Sequence, residues 1–133
     1  MRCVFDTNVF VSALLSPESK PRLAVDMAHV QGEILLSSET LRELYDVLSR
    51  QRFRRYIDAQ DIPRLLAALT HEAQWIDNLS PISVCRDPKD NKFLSLAVTG
   101  RATHIITGDA DLLVLHPFRG IPILTPSQFL EKC

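Results

Sequence analysis

Four places along the chain put carboxylates at the ends of apolar segments: Asp6, Glu43, Asp87 with Asp90, and Asp109 with Asp111. A carboxylate beside a buried strand must be hydrated, paired or bound to a cation, because an unpaired buried charge is costly. Mg²⁺ and Mn²⁺ prefer oxygen ligands. The pattern therefore predicts carboxylates converging on a divalent cation, a site that could direct water onto a phosphodiester and stabilise the charge that develops on its oxygens.

Each acid also has an ordinary structural role open to it. Asp6 and Asp90 could cap the helices that follow them, and Glu43 could be a solvated acid on a helix surface. The remaining acids could form turns, since they lie in the segments Asp87-Pro88 and Gly108-Asp109-Ala110-Asp111. The joint arrangement of acids, rather than any one of them, supports the cation site.

Strands and helices are predicted to alternate along the whole chain. The apolar segments predict strands at 2–5, 34–36, 75–76, 104–107 and 121–124. The helical spacings predict helices at 9–15, 23–30, 38–48, 61–73, 90–99 and from 126 onward, and a turn at 108–111 leads into 112–115. This alternation is typical of an α/β fold with a mainly parallel sheet, in which sites form beyond the carboxyl ends of the strands.

Two further expectations concern neighbours in this fold. If the strands at 2–5 and 104–107 are adjacent, Asp6 and Asp109 meet in one crevice. Pro122 cannot donate a ladder hydrogen bond, so its strand should lie at an edge of the sheet.

In the second helix, the spacing of Leu23, Met27 and Val30 predicts that these side chains form its buried face.

Composition limits the class of protein. The 133 residues suit a single domain spanning 1–133, and the net charge of −1 gives no overall attraction to polyanions. The three cysteines are too few and too widely spaced for a disulfide framework or a zinc site, which favours a reducing compartment. No signal peptide or membrane span is recognisable, so a cytoplasmic protein without a membrane partner is expected.

One dense basic cluster offers a surface for a polyanion. It places aromatic residues among arginines, at Arg50, Arg52, Phe53, Arg54, Arg55 and Tyr56. Together with Lys89 and Lys92, which flank Asp90, these arginines are candidates for phosphate contact, with base stacking on the rings. A solvated loop or a surface for a partner protein is an equally ordinary interpretation.

Three segments together resemble the PIN domain family. Phe5-Asp6-Thr7-Asn8-Val9 is similar to its opening motif, Arg86-Asp87-Pro88-Lys89-Asp90-Asn91-Lys92-Phe93-Leu94 to its central acidic motif, and Ile106-Thr107-Gly108-Asp109-Ala110-Asp111-Leu112-Leu113 to its third block. Glu43 occupies the helix expected between the first two. The order and spacing match over nearly the whole chain, and the combination is far more specific than the first motif alone.

The resemblance implies a three-layer α/β/α fold and metal-dependent cleavage of RNA. It implies that Asp6, Glu43, Asp90 and Asp109 hold Mg²⁺ or Mn²⁺. It further implies supporting roles for Thr7, Asn8, Thr107 and Asp111. Many small bacterial members are the toxin half of a toxin–antitoxin pair, so an antitoxin partner and a homodimer are expected as well.

Two other functional classes compete with a ribonuclease. A phosphoacceptor receiver also places acids at strand ends, but it needs a lysine late in the chain near the site, and the segment Leu124-Thr125-Pro126 lacks one. A noncatalytic RNA- or protein-binding module would keep the acids for folding or for partner contact. The four histidines are scattered without the spacing of a metal pair, and no glycine-rich phosphate loop is present.

Overall fold

The computed structural model describes residues 1–133 and contains five strands, all in one sheet. The strands are β1 (Arg2–Phe5), β2 (Glu33–Leu36), β3 (Gln74–Trp75), β4 (His104–Ile106) and β5 (Ile123–Leu124). The helices are α1 (Thr7–Leu15), α2 (Lys20–Gln31), α3 (Ser38–Leu48), α4 (Ile62–His71), α5 (Asn91–Thr99), α6 (Ala110–Leu113) and α7 (Pro126–Lys132). Short 3₁₀ turns cover Gln51–Phe53, Ala59–Asp61 and Pro88–Asp90.

The sheet is parallel throughout, with the strand order β3-β2-β1-β4-β5. β1 is therefore central, and β4 is its direct neighbour, which meets the condition stated for Asp6 and Asp109 to lie in one crevice. The pairing aligns Cys3 with His104 and Phe5 with Ile106, so both strands end at the same level. β5 lies at an edge, which confirms the expectation drawn from Pro122.

Two hydrophobic cores, one on each face of the sheet, complete three layers. Phe5, Leu36 and Ile106 point into the larger core, which also buries side chains of α1, α2, α3, α4 and α7. Val4, Leu35 and Ile105 point to the opposite face and pack against α5 and α6. The alternation of side chains along each strand therefore supplies both cores from the same short apolar segments. The predicted α/β/α class is confirmed.

Local signals explain where the helices begin and end. Ser37 caps α3 in a capping box with Thr40, and Thr125 caps α7 in the same way with Gln128. Gly32 ends α2, where a Cβ would lie 2.0 Å from the carbonyl oxygen of Met1. None of the helices combines the length and the hydrophobicity that a bilayer-crossing segment requires.

The prediction for the buried face of α2 was wrong. Leu23 and Val30 are 50% and 85% exposed, and the residues buried in this helix are Ala24, Val25 and Ala28. Small side chains on this face allow α2 to lie close to α1 and α7, whereas larger ones would hold the helices apart. Both faces carry apolar residues, so the helical period alone could not identify the inner one.

Substitutions on the two faces of α2 should have opposite consequences. Ala28→Leu inserts extra carbon atoms where the residue is fully buried, so it should lower the free energy of unfolding by about 1–3 kcal/mol. Val30→Ser changes an exposed residue and should stay within about 0.5 kcal/mol of the parent. Urea unfolding followed by circular dichroism measures both. A larger loss in Val30→Ser than in Ala28→Leu would contradict the observed packing.

Candidate active site

Pairing between β1 and β4 brings Asp6 beside Thr107, although 101 positions separate them in the chain. The Thr107 hydroxyl donates to Asp6 Oδ2 at 2.7 Å, and the backbone N–H of Asp6 donates to the Ile106 carbonyl at 3.0 Å. Thr107 is fully buried and Asp6 is 5% exposed. The hydroxyl therefore fixes the orientation of a carboxylate that has almost no access to solvent.

Asp109 reaches the same place through the turn after β4. Its backbone N–H donates to the Thr107 hydroxyl at 3.0 Å, and its Oδ1 accepts from the backbone N–H of Asp111 at 2.9 Å. One hydroxyl thus contacts both Asp6 and the backbone of Asp109. Asp109 caps α6, so its ordinary structural role and its place in the acidic site are compatible.

Asp90 arrives from the other core layer, at the beginning of α5. Its side chain makes no capping hydrogen bond, unlike that of Asp87, which accepts from the Lys89 N–H at 3.0 Å. Asn91 fixes this region, because its Oδ1 accepts from the backbone N–H groups of Val84 and Cys85 at 3.1 Å and 2.9 Å. The prediction of Asp87 as a turn former agrees with this geometry. The part played by Asn91 was not foreseen.

The three aspartates perturb one another electrostatically. Burial raises the pKa of Asp90 to about 6, with further contributions from the charge of Asp109 and a hydrogen bond to it. Burial likewise raises the pKa of Asp6, while the Thr107 hydrogen bond lowers it and the charge of Asp109 raises it. The pKa of the Cys85 thiol is raised first by burial, and then by nearby carboxylates that include Asp90 and Asp109. These acids therefore share one negative region.

Glu43 lies at the side of this region, and both of its carboxylate oxygens already have partners. The Thr7 hydroxyl donates to Oε2 at 2.6 Å, and Lys92 Nζ lies 3.4 Å from Oε1. Lys92 is only 8% exposed and also donates to the Lys89 carbonyl. This buried cation beside Glu43 was missed in the sequence, where Lys92 was predicted to be a surface residue for phosphate contact.

The remaining predicted supporting residues lie close to the aspartates in different ways. Asn8 contributes its backbone N–H to Asp6 Oδ1 at 3.4 Å, while the residue itself is exposed. Asp111 contributes its N–H to Asp109, and its own carboxylate lies 3.8 Å from Arg86 Nη1. Thr7 and Thr107 each donate a hydrogen bond to one acid, and the supporting role that the resemblance implies for them stays a prediction.

The side chains as they stand do not form a finished metal site. No group of three or more His, Cys, Asp or Glu side chains is arranged to hold a metal ion. The donor chemistry nevertheless suits a hard divalent cation, because Asp6, Asp90 and Asp109 supply carboxylate oxygens whose mutual repulsion a cation would relieve. The convergence of four acids on one ion stays a prediction.

The residues predicted to contact RNA divide between two hollows. One of about 280 Å³, here called the Arg42 hollow, adjoins Glu43 and is lined by Glu39, Arg42, Glu43, Asp46, Val47, Arg50, Lys89 and Lys92. The other, about 500 Å³, is lined by residues of α1, α4 and the segment 54–58 that include Arg54, Arg55, Tyr56 and Arg64. Arg52 lies outside both and stacks over Phe53 at 4.8 Å. The Arg42 hollow alone adjoins a predicted site carboxylate.

Comparisons with known proteins agree with this architecture. A family model described as PIN domain matches residues 2–111. An uncharacterized protein of Methanocaldococcus jannaschii is 30% identical over 142 aligned residues, covering 99% of this chain and 91% of the relative. The crystal structure of VapBC2 from Rickettsia felis, bound to a DNA fragment from their promoter, contains a chain that superposes with a TM-score of 0.65. That likeness covers 92% of this chain and 97% of the other at 14% identity, so it concerns the fold.

Burial of Asp90, together with repulsion from Asp109, should make stability depend on pH. The pKa of Asp90 in the folded protein is raised to about 6 from the ordinary 3.8. The contribution of this group to the free energy of unfolding is therefore fully present below about pH 4 and is lost as the pH rises through 6. Asp109→Asn keeps a capping side chain but removes a negative charge, so in EDTA at pH 7.5 it should stabilise the protein by about 1 kcal/mol, allowing for solvent screening. Urea unfolding at pH 7.5 and pH 4.0 measures the difference.

The matched control is Asp46→Asn, which removes the same charge from an exposed position of α3. It should change stability little at either pH. Equal effects of Asp109→Asn at pH 7.5 and pH 4.0 would show that repulsion at Asp90 is not the cause.

Proposed function

Because the chain belongs to the PIN domain family, we propose that it is a divalent-metal-dependent endoribonuclease that hydrolyses phosphodiester bonds of RNA. The observation that carries this proposal is the grouping of Asp6, Asp90 and Asp109 at the carboxyl ends of β1 and β4. Burial, together with the charge of Asp109, raises the pKa of both Asp6 and Asp90, which is unfavourable for folding, and sites with such perturbed acids are frequently functional. Nothing in the packing of the two cores requires three acids there.

Mg²⁺ or Mn²⁺ would be held by Asp6, Asp90 and Asp109, with Glu43 beside them as the predicted fourth acid. The cation supplies positive charge where the phosphoryl oxygens gain negative charge during hydrolysis. Thr107 and Thr7 hold Asp6 and Glu43 in fixed orientations, and the N–H of Asp111 does the same for Asp109. Such pre-organisation reduces the cost of ordering the site when substrate binds.

Replacing single site carboxylates should abolish turnover. Asp6→Asn and Asp90→Asn keep the size of the side chain but remove a charged oxygen ligand, so each should lower kcat/KM at least about 100-fold. The assay is cleavage of a labelled single-stranded RNA in Mn²⁺ or Mg²⁺ by the purified protein. Asp26→Asn, which changes an exposed acid of α2 that lines neither hollow, is the matched control and should retain cleavage.

Two results would contradict this proposal. Cleavage that persists in Asp6→Asn and Asp90→Asn would exclude the acids from the reaction. RNA binding by the parent without turnover in either metal would instead indicate the noncatalytic binding module, the alternative function for this fold.

RNA should approach through the Arg42 hollow. Lys89 and Arg50 are exposed there beside Glu43, whereas Lys92 is buried and paired. Arg54 and Arg55 line the second hollow, and Arg52 stacks over the Phe53 ring. These three arginines would contact RNA farther from the carboxylates than Lys89 and Arg50 do.

Removing one of these charges should weaken RNA binding more at low salt than at high salt. Lys89→Ala and Arg50→Ala should each raise KM severalfold with little change in kcat, and each should reduce the slope of log affinity against log salt by about 0.7. Arg101→Ala is the control, since this exposed arginine precedes β4 at the opposite edge of the sheet. Equal effects of all three substitutions would argue against this RNA path.

A toxin role is the biological part of the proposal. The structural neighbour VapBC2 supports a partner protein for this chain, and we propose an antitoxin in that role. A homodimer and a cytoplasmic setting belong to the same proposal. Three free thiols suit such a reducing compartment. Induced expression of the parent in a bacterial host should arrest growth, and expression of Asp90→Asn at the same level should not. Equal growth of the two cultures would contradict a toxin function.

A further inference from the structure

Lys92 supplies a positive charge inside the acidic region. The residue is 8% exposed, although lysine is rarely buried unless it is paired. Nζ lies 3.4 Å from Glu43 Oε1, it donates to the Lys89 carbonyl, and it lies 5.3 Å from the centre of the Phe93 ring. The ammonium group is therefore held from several sides and directed at Glu43.

Both carboxylate oxygens of Glu43 have partners within the protein. Thr7 takes one carboxylate oxygen at 2.6 Å, and Lys92 stands against the other at 3.4 Å. The carboxylates of Asp6 and Asp109 accept hydrogen bonds from hydroxyl or N–H groups, and the carboxylate of Asp90 makes no capping hydrogen bond. None of the three has a lysine or arginine within ion-pair distance. The four predicted ligands are thus of two kinds: one acid that is neutralised internally and three that are not.

We propose that Lys92 is a positioning residue that holds Glu43 out of the set of cation ligands and competes with the divalent cation for its carboxylate. The cation is then bound by the three aspartates, and Glu43 keeps Thr7 and Lys92 in place beside it. This inference rests on the proposed function only in taking the aspartates as the cation site. It differs from the expectation that all four acids are equivalent ligands.

The direct test is Mn²⁺ affinity measured by isothermal titration calorimetry without RNA. Lys92→Met preserves length and removes the charge, so Glu43 becomes available and the Kd for Mn²⁺ should fall about tenfold. Glu43→Gln should leave the Kd within about twofold of the parent, whereas Asp109→Asn should weaken it at least tenfold. Lys92→Arg restores a cation and should return the Kd toward the parental value.

Lys89→Met is the matched control, because it removes the same charge from an exposed neighbour in the Arg42 hollow. It should tighten Mn²⁺ binding much less than Lys92→Met, since an exposed charge is screened by solvent. Equal tightening in the two variants would attribute the effect to net charge and overturn the inference. So would a Mn²⁺ affinity that Glu43→Gln weakens as strongly as Asp109→Asn does.

A second measurement is independent of metal. A double-mutant cycle of Glu43→Gln and Lys92→Met, followed by urea unfolding in EDTA, should reveal a favourable coupling between the two side chains. Absence of coupling would overturn the inference even if Mn²⁺ binds. Coupling together with a failure of the parent to bind Mn²⁺ would instead overturn the proposed function and the competition, and would leave only a structural ion pair.

Discussion

The parallel pairing of β1 with β4 is the constraint on which the site depends. It sets Phe5 against Ile106, so that the residues after both strands emerge at one level, and Thr107 can contact Asp6 and the backbone of Asp109 at once. A slip of one residue in this register would turn Cys3 and Phe5 away from the larger core and would separate the two carboxylates. The same hydrophobic pattern therefore determines both the packing of the sheet and the position of the acids.

The grouped carboxylates at this edge of the sheet destabilise the folded protein, and packing elsewhere in the molecule compensates for them. Asp6, Asp90 and Asp109 are held together with no lysine or arginine within ion-pair distance of their carboxylates. The exposed Arg86 lies 3.8 Å from the carboxylate of Asp111 instead. Two hydrophobic cores, capped helices and a central strand with no exposed side supply the compensating free energy. Local disagreement between sequence preferences and burial is typical of functional sites.

Much of this architecture was predictable because its signals are local. Asp6 and Asp109 each come soon after the apolar strand that positions them in the sequence. Pro122 likewise indicated that the strand at 121–124 lies at an edge of the sheet. The inner face of α2 was not predictable, because alanines pack there while larger apolar residues face outward. The pair of Glu43 and Lys92 was equally hidden, since its members lie on α3 and α5 and only the tertiary fold brings an ammonium group to that carboxylate. Helical spacing indicates which residues share a face, but not which of two apolar faces a neighbouring helix will cover.

The separation of Asp6 from Thr107 in the chain has a consequence for biosynthesis. The centre of the sheet joins β1 to β4, and Asp6 and Thr107 beside them are 101 positions apart, so β4 is synthesised long after β1. Phe129, which is fully buried near Phe5, comes later still. Contacts between such distant segments slow folding. A nascent or truncated polypeptide that stops before β4 therefore carries no assembled acidic site, because Thr107 and Asp109 have not yet been added to the chain.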